Sequence, residues 1–509
     1  MLCVECGRMS KCKGRSLQGL GADVSNDPTG AGQRAPSEVE RQVPLATGAK
    51  PAELAGYLER FRSVFSRRET FENMGSYVVG LLSALPRKNG ETMAAGIESV
   101  ANKMAVHRFL ATSPWSAEEL DRLRVEHAIG VAATGSDGML IVDEVSQLKQ
   151  GKTSVGVKRQ YLGCVGKTAN GQVSVSVHYC DARFDWPVTG RLYLPKEWAT
   201  DEDRRTKVGI PEGVAFQTKG QIALDLVSKA LGWGVPADWV IMDAGYGDLG
   251  VLRGLERMLI AFCVGVRKDF TVRIPEEVDE DSGCLPPTVR VDALVAALPE
   301  SAWTEVTYRQ GTDGPLTKRF AAVQVLAATK DETGPKVWLL IERSMKDGGE
   351  FKYHVVSPRR EDISVEEMAQ IAHRRPLIER FSYENGKGEV GLRDYQGRSW
   401  QGFHHHLALV MLALTWLNLQ RQLLSDGGSQ GPSPKQPPPR PRRVALQLDD
   451  RSLTLRLPDP PRKAVPPPRH LWESVQAVRA RFLQWCAVDV IQTLTRRGVP
   501  LRQPVFLNL

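Results

Sequence analysis

The chain has little of what would mark a secreted, membrane-bound or strongly charged protein. Its eight cysteines in 509 residues (Cys3, Cys6, Cys12, Cys164, Cys180, Cys263, Cys284 and Cys486) are scattered rather than set as a disulfide framework, which fits a reducing cytoplasm. Cys3-x-x-Cys6 with Cys12 looks like part of a zinc knuckle, but no fourth ligand stands nearby and a structural site needs four. No charged-then-apolar leader ends in a small-residue cleavage site. The longest apolar run, 407–417 with Thr415 inside it, is short of a membrane span, so a soluble protein with no membrane partner is expected. Charge of neither sign dominates: 67 Lys and Arg against 59 Asp and Glu give +8, a modest excess that suits a polyanionic partner. Apolar periodicity is missing up to about residue 50, and 1–50 reads as a disordered leader.

What the chain does have is a repeated device. Gly138-Met-Leu-Ile-Val-Asp143-Glu144 is an apolar quartet ending in two acids, which reads as a buried strand carrying a carboxylate to the edge of a sheet. Residues 158–161 and 173–179 alternate like strands, so a three-strand meander with Asp143 at the end of its first strand is expected. Trp239-Val-Ile-Met-Asp243 repeats the device ahead of a glycine-containing turn. Two strand-end aspartates invite a divalent metal, because hard cations such as magnesium take oxygen ligands. The third carboxylate is expected at Glu379, with Glu384 as its competitor. Helical continuation from Pro376 sets Arg375, Glu379, Tyr383 and Lys387 at steps of four. Asp201, Glu202 and Asp203 read as solvated loop charges, since no apolar strand delivers them to a common point.

Around these acids the chain divides. Residues 51–134 are helical: Leu54, Tyr57, Leu58, Phe61 and Phe65 recur at spacings of three and four, with Arg62, Arg67, Arg68, Arg87 and Lys88 making a basic face. A turn at Asn89-Gly90-Glu91 and a Ser116-x-x-Glu119 capping box open further helices, and such a bundle suits DNA reading in the manner of a helix-turn-helix module. Residues 135–268 are expected to form the first part of the domain that carries these acids, with helices over 221–231 and 248–257 and a strand over 261–266. Asp243 and Glu379 are 136 residues apart, more than one strand and one helix need, so 269–360 is expected to be a β-rich insertion. Its strands are read at 303–308, 320–326, 337–342 and 353–356, and Lys318, Arg319, Arg343 and Lys346 are suited to a phosphate backbone. Trp303 is the candidate to stack on an extruded base, whereas Trp338 reads as core. Residues 361–424 are expected to complete that domain, opening with a Ser364-x-x-Glu367 capping box. His404, His405 and His406 diverge on a helix and make no zinc site. A Pro-rich basic linker over 425–470 and a closing amphipathic helix and tail over 471–509, with Val475, Val478, Phe482 and Val488 on its apolar side, end the chain.

Asp143, Asp243 and Glu379 in this order, with the block Ser154-Val-Gly156-Val-Lys158-Arg159-Gln160-Tyr161, resemble the DDE transposases of bacterial insertion sequences, in the branch whose groups are numbered four and seven hundred and one. The matching blocks run from about residue 55 to about residue 420. The family signature sets a Tyr, an Arg, the Glu and a Lys along the last helix. Arg375 stands four residues before Glu379 as the family Arg does, Ala372 stands where the Tyr is expected, and Lys387 lies one residue beyond the expected Lys. The resemblance implies an α/β fold: an RNase H-like catalytic domain interrupted by the β-rich insertion, behind an N-terminal helical domain. It implies an enzyme that cuts DNA at terminal inverted repeats and joins the freed 3′ ends to target DNA. Mg2+, with Mn2+ able to substitute, would be held by Asp143, Asp243 and Glu379, and Arg159, Arg375 and Lys387 would face phosphate. A homodimer in the DNA complex, in the cytoplasm at the bacterial nucleoid, is implied as well. Two alternatives stay open: a metal-dependent endonuclease without strand transfer, and a catalytically silent DNA-binding derivative.

Overall fold

Met139, Leu140, Ile141 and Val142 are all buried, as residues of a strand covered on both faces must be. The computed structural model describes residues 50–131, 137–181, 184–275, 285–311, 314–345, 350–358, 362–375, 389–427, 444–448, 451–455 and 475–497. All of these fall within one compact unit, Pro44–Leu509. The apolar quartet opens β1 (Met139–Leu148), followed by β2 (Lys158–Leu162), β3 (Lys167–Cys180), β4 (Asp185–Leu192), β5 (Trp239–Met242) and β6 (Ala261–Val266). β3 runs antiparallel beside β1 and carries β4 on its other side, while β5 and then β6 lie parallel to β1. This is the strand order of an RNase H-like α/β fold.

The expected meander needs two corrections. β1 pairs with β3, from Met139↔Cys180 to Leu148↔Gly171, and β2 pairs with β3 as well. β1 also runs on through its acids to Leu148, so Asp143 lies inside the strand rather than at its end. The polar residues after Asp143 look like loop but are satisfied within the fold. Gln147 Nε2 donates to the Tyr395 carbonyl at 2.9 Å, and Ser146 Oγ accepts from Cys164 N at 2.9 Å. What stops near Asp143 is the neighbour: β5 pairs with β1 only through Ile141↔Ile241.

The insertion does not leave this sheet. β7 (Thr271–Arg273), β8 (Val289–Arg290), β9 (Thr304–Gly311), β10 (Gly314–Ala328), β11 (Thr333–Arg343) and β12 (Lys352–Ser357) continue it, with β12 antiparallel to β6 and followed outward by β11, β10, β7 and β8; β9 pairs β10. The strands read from sequence over 303–356 are therefore present, each somewhat longer than its apolar run.

Helices cover the sheet. The first group is α1 (Ala52–Glu59), α2 (Arg68–Leu82), α3 (Gly90–Gly96), α4 (Lys103–Ala111) and α5 (Ala117–Val131). Then come α6 (Lys196–Ala199), α7 (Glu202–Val208), α8 (Lys219–Gly232), α9 (Leu249–Arg257), α10 (Val291–Ala296), α11 (Val365–Ala372), α12 (Trp400–Gly427) and α13 (Val475–Arg496). Leu54, Tyr57, Leu58, Phe61 and Phe65 are buried as their spacing requires, and each such side chain contributes about 1.5–3 kcal/mol. The first helices pack on α12: Tyr57 Oη donates to the Leu412 carbonyl, and Tyr77 Oη meets His406 Nδ1 at 2.8 Å. Arg124 of α5 is fully buried, bonded to Asp121 at 2.7 Å, to the Val188 carbonyl of β4 at 2.6 Å and to Thr415 of α12 at 3.1 Å. His404, His405 and His406 meet different partners, the carbonyls of Trp400, of Leu110 and Trp115, and of Gly391.

Three local readings change. Lys88 turns inward instead of joining a basic face: it is 2 % exposed, its ammonium donates to the Ser83 carbonyl, and burial pulls its pKa down to about 7. Asp201 is the N-cap of α7, accepting from Arg204 N at 3.0 Å, so that acid has a helix-starting role where a loop was expected. Within 425–470, β13 (Val444–Leu448) and β14 (Arg451–Leu455) pair antiparallel, where strand alternation wins over the surrounding prolines. The leader with Cys3, Cys6 and Cys12 lies outside the described residues, and no helix among those described is long and apolar enough to cross a membrane.

Candidate active site

β5 ends at Met242, and the chain turns at Asp243-Ala244-Gly245. Asp243 holds its own turn: Oδ1 accepts from Gly245 N at 2.8 Å and its carbonyl accepts from Tyr246 N at 3.1 Å. The turn presses on β6, where a Cβ at Gly265 would come within 2.9 Å of Ala244 N, so only glycine lets it sit there. One strand away, Asp143 accepts from Glu144 N at 2.8 Å.

A single guanidinium joins the two aspartates. Arg375 Nη2 lies 3.5 Å from Asp143 Oδ1 and 3.6 Å from Asp243 Oδ2, with side-chain exposures of 26 %, 15 % and 32 % for Arg375, Asp143 and Asp243. Since both oxygens lie within 3.6 Å of one nitrogen, they are at most about 7 Å apart, close enough for a shared pair of metal ions spaced by about 4 Å. The adjacent acid is otherwise engaged: Glu144 Oε2 accepts from Lys219 Nζ of α8 at 2.6 Å. Thus one member of the Asp143-Glu144 pair faces the shared point and the other anchors a helix.

Arg375 is delivered by α11. Ser364 and Glu367 cap that helix as a capping box, each side chain accepting from the other's backbone N at 3.1 Å. At its C-terminal end His373 stacks on Tyr308 at 3.7 Å and bonds to Glu342 at 2.8 Å. Glu342, only 3 % exposed in its side chain, also accepts from Lys318 Nζ. Burial would raise its pKa, but the bonds from His373 and Lys318 prevail and hold it down at about 2. Neighbouring His354 is pushed down to about 4 by burial. Sequence reading missed Glu342 as a site neighbour, although Trp338-Leu-Leu-Ile-Glu342 repeats the same apolar-run-then-acid device.

The other candidates are distributed. Glu379, Glu384, Tyr383 and Lys387 lie outside the described residues. Arg159 is exposed on β2, opposite Asn170, which lies six residues along β3 from the Ser176 that faces Asp143. At about 3.4 Å per residue that is roughly 20 Å away, so Arg159 does not reach the aspartates. Trp303 is 9 % exposed with the Arg343 guanidinium 4.5 Å over its ring, while Trp338 is only half-buried, the reverse of the expected order.

Asp243 and Arg375 open into a cleft of about 980 Å³ whose far wall is made by residues after β6 and at the start of β12. Two hard oxygen donors converging on a cationic group suit Mg2+ or Mn2+ chemically, with the guanidinium standing where positive charge is wanted. No third His, Cys, Asp or Glu among the described residues completes a metal cluster with them.

A family model described as DDE superfamily endonuclease matches residues 60–315, just over half of the chain, and one described as Transposase DDE domain matches residues 218–416. The chain is 32% identical over 220 residues to the probable transposase for insertion sequence element IS701 of Microchaete diplosiphon. That match covers 43% of this chain and 54% of the relative, so the chain spans about half the length of the curated protein it matches. A solved piggyBac transposase synaptic complex with hairpin DNA aligns over 93% of this chain and 85% of its own, at 11% identity and a TM-score of 0.39.

Proposed function

Because the chain belongs to the DDE superfamily of endonucleases and carries a transposase DDE domain, we propose that it is a transposase that cuts the ends of an insertion sequence and joins the 3′ ends to target DNA. The observation that carries this reading is the convergence of Asp143 and Asp243 on one nitrogen of Arg375 beside a cleft open to substrate. Asp143 and Asp243, with Glu379 as the third ligand, would hold Mg2+, for which Mn2+ can substitute. When bound, the metal lowers the pKa of an attacking water or 3′-hydroxyl and stabilises the leaving oxygen. The reaction is an in-line displacement: a P–O bond forms to the attacking oxygen as the P–O bond to the leaving oxygen breaks, with no covalent enzyme intermediate. Arg375 neutralises a phosphate oxygen with its fork and Lys387 with a point charge, while Arg159 contacts the backbone farther out. The substrates are the terminal inverted repeats and target DNA, bound by a homodimer acting on nucleoid DNA in the cytoplasm.

Asp243→Ala tests this. Asp243 sits in a partly exposed turn, so folding should survive, and the cationic surface is unchanged. The variant should bind a terminal-repeat duplex about as well as the parent and lose cleavage and joining by several orders of magnitude. Asp143→Ala and Glu379→Ala should behave alike, and Glu384→Ala should stay active. Normal cleavage by Asp243→Ala would remove the mechanism.

A further inference from the structure

The insertion cations expected at a phosphate backbone are already ion-paired with carboxylates of the chain, Lys318 with a buried one and Arg319 and Arg343 with an exposed one. Lys318 is bonded to Glu342, and Arg319 and Arg343 both hold Glu300; Lys346 lies outside the described residues. Cations that make no side-chain hydrogen bond or ion pair among the described residues stand elsewhere, although Lys268 lies near enough to Asp292 to act on it. Arg267 and Lys268 follow β6, and Lys352 opens β12. The register Tyr353↔Val266 sets Lys352 beside Arg267. All three are exposed and line the cleft shared with Asp243 and Arg375. Glu342 on β11 lies directly opposite Lys352, but its oxygens are taken by Lys318 and His373. Asp269 and Glu350 line the cleft too, and among the described residues neither is hydrogen-bonded or ion-paired to any of the three cations.

We propose that Arg267, Lys268 and Lys352 form a phosphate-binding wall that carries the DNA strand leaving the scissile phosphate. This rests on the endonuclease reading above. The ends of β5, β6 and β12 lie side by side at one edge of the sheet, so Asp243, Arg267 and Lys352 are stepped across adjacent strands. With strands about 4.8 Å apart and Arg267 two residues beyond the Gly265 that is level with Asp243, the wall begins about 8 Å from Asp243 and reaches about 12 Å. At a rise of about 3.4 Å per base, that spans about the second to the fourth nucleotide beyond the cut. An ion-paired cation must first give up its carboxylate to take a phosphate, whereas an unpaired one displaces counterions from DNA directly.

The salt dependence of binding reads this out. Binding of a fluorescent duplex of arbitrary sequence to the full chain would be followed by anisotropy in chelator, between about 50 and 200 mM salt. Each wall cation removed should lower the slope of log K against log salt by about 0.9, so the triple variant R267A/K268A/K352A should lose nearly three. Arg319→Gln and Arg343→Gln, which remove paired cations, should leave the slope where it was. A parental slope in the triple variant would overturn the proposal, as would an equal loss in Arg319→Gln and Arg343→Gln, or failure of the parent to bind the duplex. The catalytic reading fails separately: a parent that binds with the expected slope but does not cut in Mg2+ would remove the endonuclease assignment and leave the wall in place as a DNA contact.

Discussion

Arg375→Ala should strengthen metal binding while weakening catalysis. In the DNA-free protein the guanidinium sits 3.5 and 3.6 Å from the two aspartates, where it competes with any cation drawn to them. Opposite unit charges near 4 Å attract by about 1 kcal/mol at the dielectric of water and about 4 kcal/mol at the value typical of a protein surface. All three side chains are between 15 % and 32 % exposed, so solvent screening favours the lower figure. Two such contacts give about 2 kcal/mol of competition, so removal of the guanidinium should tighten Mn2+ binding by at least tenfold, roughly. Calorimetric titration of the chelator-treated protein without DNA measures this. Asp143→Asn added to Arg375→Ala should abolish the gain, because one of the two carboxylates no longer carries charge. Cleavage by Arg375→Ala should nevertheless fall, since no guanidinium remains to take a phosphate oxygen. Unchanged or weaker metal binding in Arg375→Ala would refute the argument that arginine and metal share the site.

Glu342→Gln should lower stability near neutral pH, because the bonds from His373 and Lys318 lose their ionic partner. As the folded pKa of Glu342 is depressed to about 2, its contribution is present above the unfolded value near 4.5 and is lost as pH falls toward 2; urea midpoints of parent and variant should therefore converge over that window. Lys88→Met should raise the melting temperature near pH 7. The folded pKa of Lys88 is lowered to about 7 against 10.5 unfolded, so the parent, and not the variant, should gain stability as pH rises between those values. For cleavage, Mg2+ or Mn2+ should support activity, Zn2+ little, and Ca2+ binding without chemistry; strong cleavage in excess chelator would count against all-oxygen ligation.

Features written in a short stretch of chain were legible. The strand Ala261–Val266, the helix following the Asp248 cap, the Ser116 cap and the capping box at Ser364 depend on neighbours a few residues away. The aspartates stood out for the same reason, as acids directly after apolar runs. What sequence could not supply is pairing across distance. The place of β2 outside β3, the inward turn of Lys88 toward Ser83 and the bond between Glu342 and His373, 31 residues apart, are set by packing. Polar residues 146–147 do not read as strand, because nothing local reveals that Cys164 and Tyr395 will satisfy them. The basic residues of the insertion were visible as charges, but whether a charge is available to DNA depends on the carboxylate folded against it.

The unbroken pairing of β12 onto β6 limits how the protein can be shortened. All six residues of β6, Ala261-Phe-Cys-Val-Gly-Val266, are buried, and among the described residues one backbone edge of the strand is bonded along Phe262 to Val266 by β12 alone. Excision of 269–360 to obtain a minimal catalytic core would uncover that edge as a flat, uncharged, apolar template without proline or lysine to guard it. Such a truncated chain should precipitate or form strand-exchanged oligomers rather than remain a small nuclease, even with every acid of the site in place.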